Sequence, residues 1–498
     1  MGIAFDPSGL SEEMEPIDSP MGELEKTAEE MRIRIESFSD TNIQGEDIDW
    51  ILAPLSITIF KMKLSARSGH PPRQESLRAF VLQLIGPFLL AGLGLLCTGL
   101  LLDKATSTPF FVKIPEAVIL VPVLLGLKGN LEMTFAARLS TLANVGLMDT
   151  RSQTVTAFLS NMALIQVQAV VVSSLAVGTT LLLKGIHGDS IIWSEVVCLL
   201  STCVSTSSIL SFALGTLILT IILSAKKCKV DPDNITTPIA AALGDLSTLA
   251  MMMFMGGLLL PLSSSHLPLL LLLLLFFLTL AIISATIAAL NDLTRDVLIR
   301  GWYAVIGAMI ISCSSGEILK KAVGMYPGIA VFQPLVNGIG GNIVAVQASR
   351  ISTSLHQGSK LKSEDERGIV HFCSPWRAFF SRETDSSAAR ILLLLSLFSH
   401  SIFFSIIFLL PQPGPPYNFS LLLTSAYLLV AFIQVGTLLF LCQWIVRFLW
   451  RKRIDPDSSA IPVLTATGDL LGSTLLTASF WILNNFFPYL NLGKEIAS

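Results

Sequence analysis

The chain has 498 residues, 52% of them apolar and only 14% charged, with a formal net charge of −3. So apolar a composition at this length excludes an ordinary soluble protein and assigns the chain to the polytopic membrane class. The near-neutral charge singles out no partner, and none is expected among nucleic acids. Seven cysteines (Cys97, Cys198, Cys203, Cys228, Cys313, Cys373 and Cys442) show no Cys-x-x-Cys spacing and no disulfide framework. They read as small core residues.

Residues 1–78 are polar and rich in Glu, Asp, Ser and Pro. They are expected to form a cytoplasmic, largely disordered tail. Glu23–Phe38 has the pattern of an isolated amphipathic helix. The apolar run Trp50–Phe60 is shorter than the ~20 residues a spanning helix needs, and no cleavable signal is visible.

Eleven apolar spans follow, at 79–102, 116–144, 157–183, 196–224, 235–261, 267–290, 301–323, 329–353, 388–410, 419–447 and 461–487. The fold class is therefore an all-α polytopic membrane protein. Gly and polar residues interrupt the second and eighth spans, which are expected to be broken helices facing protein or a wet cavity.

Two motifs are written twice. Pro122 … Gly126-Leu-Lys128-Gly129-Asn130 recurs as Pro334 … Gly338-Ile-Gly340-Gly341-Asn342, and the match continues through Arg138-Leu-Ser140-Thr141 and Arg350-Ile-Ser352-Thr353. Asp231-Pro232-Asp233 … Pro238 … Gly244-Asp245 recurs as Asp455-Pro456-Asp457 … Pro462 … Gly468-Asp469. The first motif falls in spans two and eight and the second in spans five and eleven, so each half holds five spans, 79–265 and 301–490. An odd number would invert the second half. Span six, in a linking segment 266–300, has no partner and restores a parallel orientation about an axis along the membrane normal.

Loop charges support this topology. With the N-terminus inside, the inward loops carry Arg151; Lys226, Lys227 and Lys229; Arg295 and Arg300; Arg451, Lys452 and Arg453. The cytoplasmic loop 354–387 adds Lys360, Lys362, Arg367, Arg377 and Arg382. Outward loops hold little beyond Lys104, Lys113, Lys184, Lys320 and Lys321. That bias puts the short C-terminal tail, 491–498, on the opposite side from the N-terminus. The sequon Asn418-Phe-Ser420 falls in an outward loop.

Asp245 and Asp469 carry the chemistry. Span five is expected to begin near Asn234, with Asp233 or Asn234 as N-cap and Pro238 in the first turn. Asp245 then lies ~15 Å along the axis, near mid-membrane, with Asp469 at the same depth in span eleven. A lone carboxylate there costs at least ~2.5–3.5 kcal/mol. Two at one level suit a divalent cation, whereas pairing with a buried donor would make them mere helix glue. Gly129-Asn130 and Gly341-Asn342 offer close backbone approach and amide oxygens, which suit a hard cation that keeps its waters; the alternative is small-residue packing. Lys128 has no counterpart in the second half, where Gly340 stands, and Glu132 is matched by Val344. Lys128 and Glu132 share a helical face and either cancel one another inside the pathway or form a surface ion pair.

Arg138 and Arg350 read as headgroup-snorkelling helix ends, Asn161, Gln166 and Gln168 as helix glue, Glu317 as a solvated helix end and His400 as a core residue. No P-loop, H-E-x-x-H or nucleophile elbow is present, so no enzyme is expected.

The stretches Leu120–Thr134, Asn161–Gln168, Asp231–Asn234 with Pro238-Ile-Ala-Ala, and Gly340–Thr353 resemble solute carrier family 41, eukaryotic relatives of the MgtE magnesium transporters. The resemblance covers nearly all of 79–487. It implies two fused five-helix domains mimicking an MgtE-like dimer, able to work as a monomer. It also implies Mg²⁺ as transported substrate, with Na⁺ exchange as a coupling, and no cofactor. By that resemblance Asp245 and Asp469 hold hydrated Mg²⁺, and Gly341 and Asn342 line the pore, with Gly129 and Asn130 as their partners. Competing readings are a broader divalent-metal transporter and a non-transporting membrane scaffold. The plasma membrane is the expected location, with the mitochondrial inner membrane as the alternative.

Overall fold

The computed structural model describes residues 77–492, apart from 146–147, 149, 187, 189, 228–231, 327, 360–373, 382–383, 410–419, 453, 455 and 491. All of it belongs to one compact unit, Glu75–Ser498. The stretches Glu23–Phe38 and Trp50–Phe60, the sequon Asn418, most of the loop 354–387 and the tail 493–498 lie outside the described residues.

Among the described residues there is no strand. Eleven helices among the described residues are long and apolar enough to cross a membrane. They are α1 (Leu77–Thr106), α2 (Glu116–Val145), α3 (Arg151–Ile186), α4 (Trp193–Lys227), α5 (Pro232–Ser265), α6 (Leu267–Ala289), α7 (Trp302–Met325), α8 (Ile329–Ser359), α9 (Thr384–Leu409), α10 (Leu421–Arg451) and α11 (Pro456–Phe486). Each matches one span of the sequence reading, and most extend beyond it by a few residues at one or both ends.

One expectation is corrected. α2 and α8 are not broken; each runs as one helix through its Gly and polar residues, with Pro122 and Pro334 inside it. An interruption in lipid would leave backbone groups unpaired at several kcal/mol each. A glycine in a continuous helix costs only about 1 kcal/mol. These two helices are also the most enclosed: 76% and 78% of their apolar windows are buried, against 22% for α6. Their polar residues therefore face other helices, and α6 is the peripheral one.

The same contacts recur in both halves. α5 packs on α1, α2 and α4, and α11 packs on α7, α8 and α10. The first helix of each half also crosses to the other half, α1 onto α8 and α7 onto α2. Leu95 and Leu96 of α1 accordingly join the apolar core built mainly by α8–α11, while Met309 and Cys313 of α7 join the core of α2–α5. Glycines make both crossings possible. A Cβ on Gly99 would overlap the Val331 carbonyl oxygen, and one on Gly316 would overlap that of Ile119. Ile119 and Val331 each stand three residues before the motif proline, so the two crossings correspond. α6 packs on α3 and α4.

Candidate cation site

α5 and α11 each begin with a proline, Pro232 and Pro456. Its missing N–H and fixed φ suit that position. This places the start of α5 two residues before the expected Asn234, so Asp233 and Asn234 lie inside the helix and neither is its N-cap. Asp245 and Asp469 stand equally far beyond their prolines, about 20 Å along each axis at 1.5 Å per residue. Both side chains are partly buried, and the two carboxylates lie within Coulombic reach of one another.

They converge on a glycine stripe of α2. A Cβ at Gly129 would stand 3.9 Å from Asp245 Oδ1, and one at Gly126 would stand 3.2 Å from Asp469 Oδ2. Gly341 of α8 faces the Thr465 methyl, 3.6 Å from its own Cβ position, one turn before Asp469. Asn130 is committed through its amide nitrogen, which donates to Thr465 Oγ1 at 3.1 Å and ties α2 to α11. Asn342 is half-buried.

Lys128 and Glu132 are not a surface pair. Nζ lies 2.6 Å from Glu132 Oε1, with both side chains almost fully buried. The ammonium also donates to Ser211 Oγ of α4 at 2.8 Å. Glu132 Oε2 rests where a Cβ on Gly244 would be only 2.9 Å away. Gly244 thus leaves room for a third carboxylate beside Asp245, and the two interact electrostatically. In the second half the space left by Gly340 is filled by Gln434 of α10, whose Nε2 would be 3.0 Å from a Gly340 Cβ. That amide donates to Gly468 O at 2.9 Å. Glu132→Gln would leave the ammonium buried without its counter-ion, a loss expected at about 3–5 kcal/mol. Lys128→Met with Glu132→Gln should recover most of it. Thermal melting of the detergent-purified variants reads both.

Several partners of Asp469 were not singled out from the sequence. Ser312 Oγ of α7 reaches its Oδ2 at 3.4 Å. Ser315 Oγ donates to its backbone carbonyl at 2.8 Å, and Asn337 Nδ2 does so at 3.2 Å. Asn337 was visible within the repeated motif, where the first copy has Leu125; Ser312 and Ser315 lie outside both motifs and carried no signal.

Other flagged residues lie apart from this site. Gln166 bonds the Ser208 carbonyl at 2.9 Å, joining α3 to α4. His400 Nδ1 pairs with Tyr427 Oη at 3.0 Å in the core. Arg138 bonds back to Thr134 O of its own helix at 3.2 Å, with Nη1 buried and the residue as a whole half-buried. Glu317 pairs with Lys321, while Lys320 and Lys184 both reach buried Glu116. Among the described residues no group of three His, Cys, Asp or Glu is placed to cage a bare metal ion.

The MgtE family model, described as a divalent cation transporter, matches this chain twice, at residues 121–255 and 333–479. Solute carrier family 41 member 2 of Homo sapiens is 42% identical over 415 residues, covering 82% of this chain and 71% of the relative. The Xenopus laevis member 2 is 42% identical over 414 residues, with 82% and 73% covered. Solute carrier family 41 member 3 of Rattus norvegicus is 39% identical over 437 residues, covering 87% and 94%. No solved structure matches. The doubled match and the relatives' coverage agree on one assignment: this chain belongs to the MgtE divalent cation transporter family and, within it, to solute carrier family 41.

Proposed function

We propose that the chain transports Mg²⁺ across a membrane along a path between two pseudo-symmetric halves, α1–α5 and α7–α11. Asp245 and Asp469 attract the ion, and Gly129, Asn130, Gly341 and Asn342 line its path. The observation that carries this reading is the convergence of two carboxylates, at equal depth on α5 and α11, upon the Gly126–Gly129 face of α2. Their polar neighbours Ser312, Asn130 and Thr465 offer only oxygen and amide groups. Mg²⁺ dehydrates reluctantly and is commonly held by one or two carboxylates with several waters retained. A pair of Asp without a cage suits such an ion, while thiolate- or imidazole-seeking metals find no ligand there. Lys128 and Glu132 cancel, so the path keeps two negative charges, matched to one divalent ion.

The halves run parallel, with the N-terminus cytoplasmic, the C-terminus opposite and the plasma membrane as location; a single chain works as a pseudo-dimer. Mg²⁺ moves in exchange for Na⁺ in this proposal. The test is dye-reported Mg²⁺ flux into proteoliposomes of the purified chain, with and without a Na⁺ gradient and with Mn²⁺, Co²⁺ or Zn²⁺ as competitors. Saturable flux, accelerated by the gradient and weakly inhibited by Zn²⁺, is expected. Liposomes without flux would favour the scaffold, and stronger permeation by Zn²⁺ the broader metal transporter. An N-terminal epitope should be labelled in intact cells only after permeabilisation.

A further inference from the structure

The surroundings of the two carboxylates can be compared position by position, because the glycine crossings align the halves. Gly99 on Val331 corresponds to Gly316 on Ile119. One turn earlier, Leu95 of α1 therefore corresponds to Ser312 of α7. Packing confirms the match: Gly338 faces Leu95 side-chain carbons, whereas its partner Gly126 faces Ser312 Oγ, 3.8 Å from the Cβ position.

At four matched positions the second half directs polar groups toward Asp469 or its partners, and among the described residues the first half directs none toward Asp245. Ser312 reaches the Asp469 carboxylate and Leu95 has nothing to offer Asp245. Ser315 donates across to Asp469 O, while its partner Thr98 turns back to Gly94 O of its own helix at 2.8 Å. Asn337 bonds Asp469 O and Ser473 Oγ. Their counterparts, Leu125 and Leu249, are buried apolar residues. Asp469 is thus held at its carboxylate and at its backbone. Among the described residues Asp245 has none of these donors; its charged neighbours are Asp469 and Glu132, the latter tied to Lys128.

We propose that the two carboxylates are unequal: Asp469 is the fixed ligand of the cation site and Asp245 the adjustable one, with Ser312, Ser315 and Asn337 as positioning residues. This rests on the reading of Asp245 and Asp469 as the ions' ligands. Neutral donors orient a carboxylate without cancelling its charge, so Asp469 loses little freedom when an ion arrives. Asp245 lacks such orienting donors among the described residues, so less fixes its carboxylate before the ion arrives.

The test is Mg²⁺ flux through full-length variants in proteoliposomes, read as half-saturating concentration and maximal rate. Ser312→Ala should raise half-saturating Mg²⁺ about fivefold, as loss of one ordinary hydrogen bond predicts for a contact of 3.4 Å, with maximal flux within about twofold. Ser312→Thr should restore it, and Leu95→Ala should leave it in place. Asp469→Asn alone should raise it several times more than Asp245→Asn alone. An unchanged half-saturation in Ser312→Ala, or equal effects of the two single Asp variants, would overturn the proposal. Should Ser312→Ala fail to fold, the Asp comparison still decides. If the double Asn variant transports normally, the ligand reading itself is wrong; if it is silent and the single variants are equal, only the inequality is.

Discussion

Replacing Asp245 and Asp469 together with Asn is expected to abolish Mg²⁺ flux, by at least about 100-fold, while leaving a folded protein. Asn keeps the size of Asp and removes its charge. A carboxylate kept in apolar surroundings costs at least ~2.5–3.5 kcal/mol if it lies at mid-membrane, so removal of the two charges should not destabilise the fold. The helices around them are held by independent contacts: the apolar cores, the Asn130–Thr465 bond and the Gln434–Gly468 bond. What disappears is the pair of negative charges proposed to draw a doubly charged ion into apolar surroundings. Flux in proteoliposomes and a melting curve on the same preparation separate the two effects. Wild-type flux in the double variant would remove both carboxylates from the mechanism.

A large effect on stability is also expected at the glycine crossings. Gly316→Ala and Gly99→Ala each place a methyl group against a backbone carbonyl, Ile119 O or Val331 O, where no side chain can rotate away. Overpacking of this kind costs about 1–3 kcal/mol, and Leu at either position should prevent folding. The two substitutions should act alike, because each wedges the first helix of one half off the second helix of the other. Gly257→Ala and Gly307→Ala, which meet nothing within 4 Å, should stay within about 0.5 kcal/mol. Melting temperatures of the four Ala variants in one detergent test this; equal values would mean that the crossings are not tight.

Much of the architecture was legible because lipid enforces it. A span must be long, apolar and helical, so the eleven helices emerge from composition alone, and the repeated Gly-Asn and Gly-Asp motifs pointed to the region where α2, α5, α8 and α11 meet. Even the link between Lys128 and Glu132 followed from helical spacing. Its burial did not, since that depends on Gly244 leaving space and on Ser211 arriving from another helix. The expectation that α2 and α8 break treated glycine as an interruption, whereas close neighbours make a continuous helix the cheaper solution. Gly99 and Gly316 belong to no motif, and their role exists only where two chain segments cross. Ser312, Ser315 and Gln434 were hidden for the same reason: hydroxyls and amides in apolar helices usually serve as helix glue, and only their neighbours distinguish a ligand's support from glue.

Manganese, a paramagnetic stand-in for Mg²⁺, offers the most direct test of whether Asp245 and Asp469 jointly hold a hydrated divalent ion. Electron paramagnetic resonance of the purified chain with Mn²⁺ should reveal one saturable site per chain whose ion keeps several waters, lost in the Asp245→Asn, Asp469→Asn double variant. An undiminished site in that variant, or an ion stripped of water, would contradict the account.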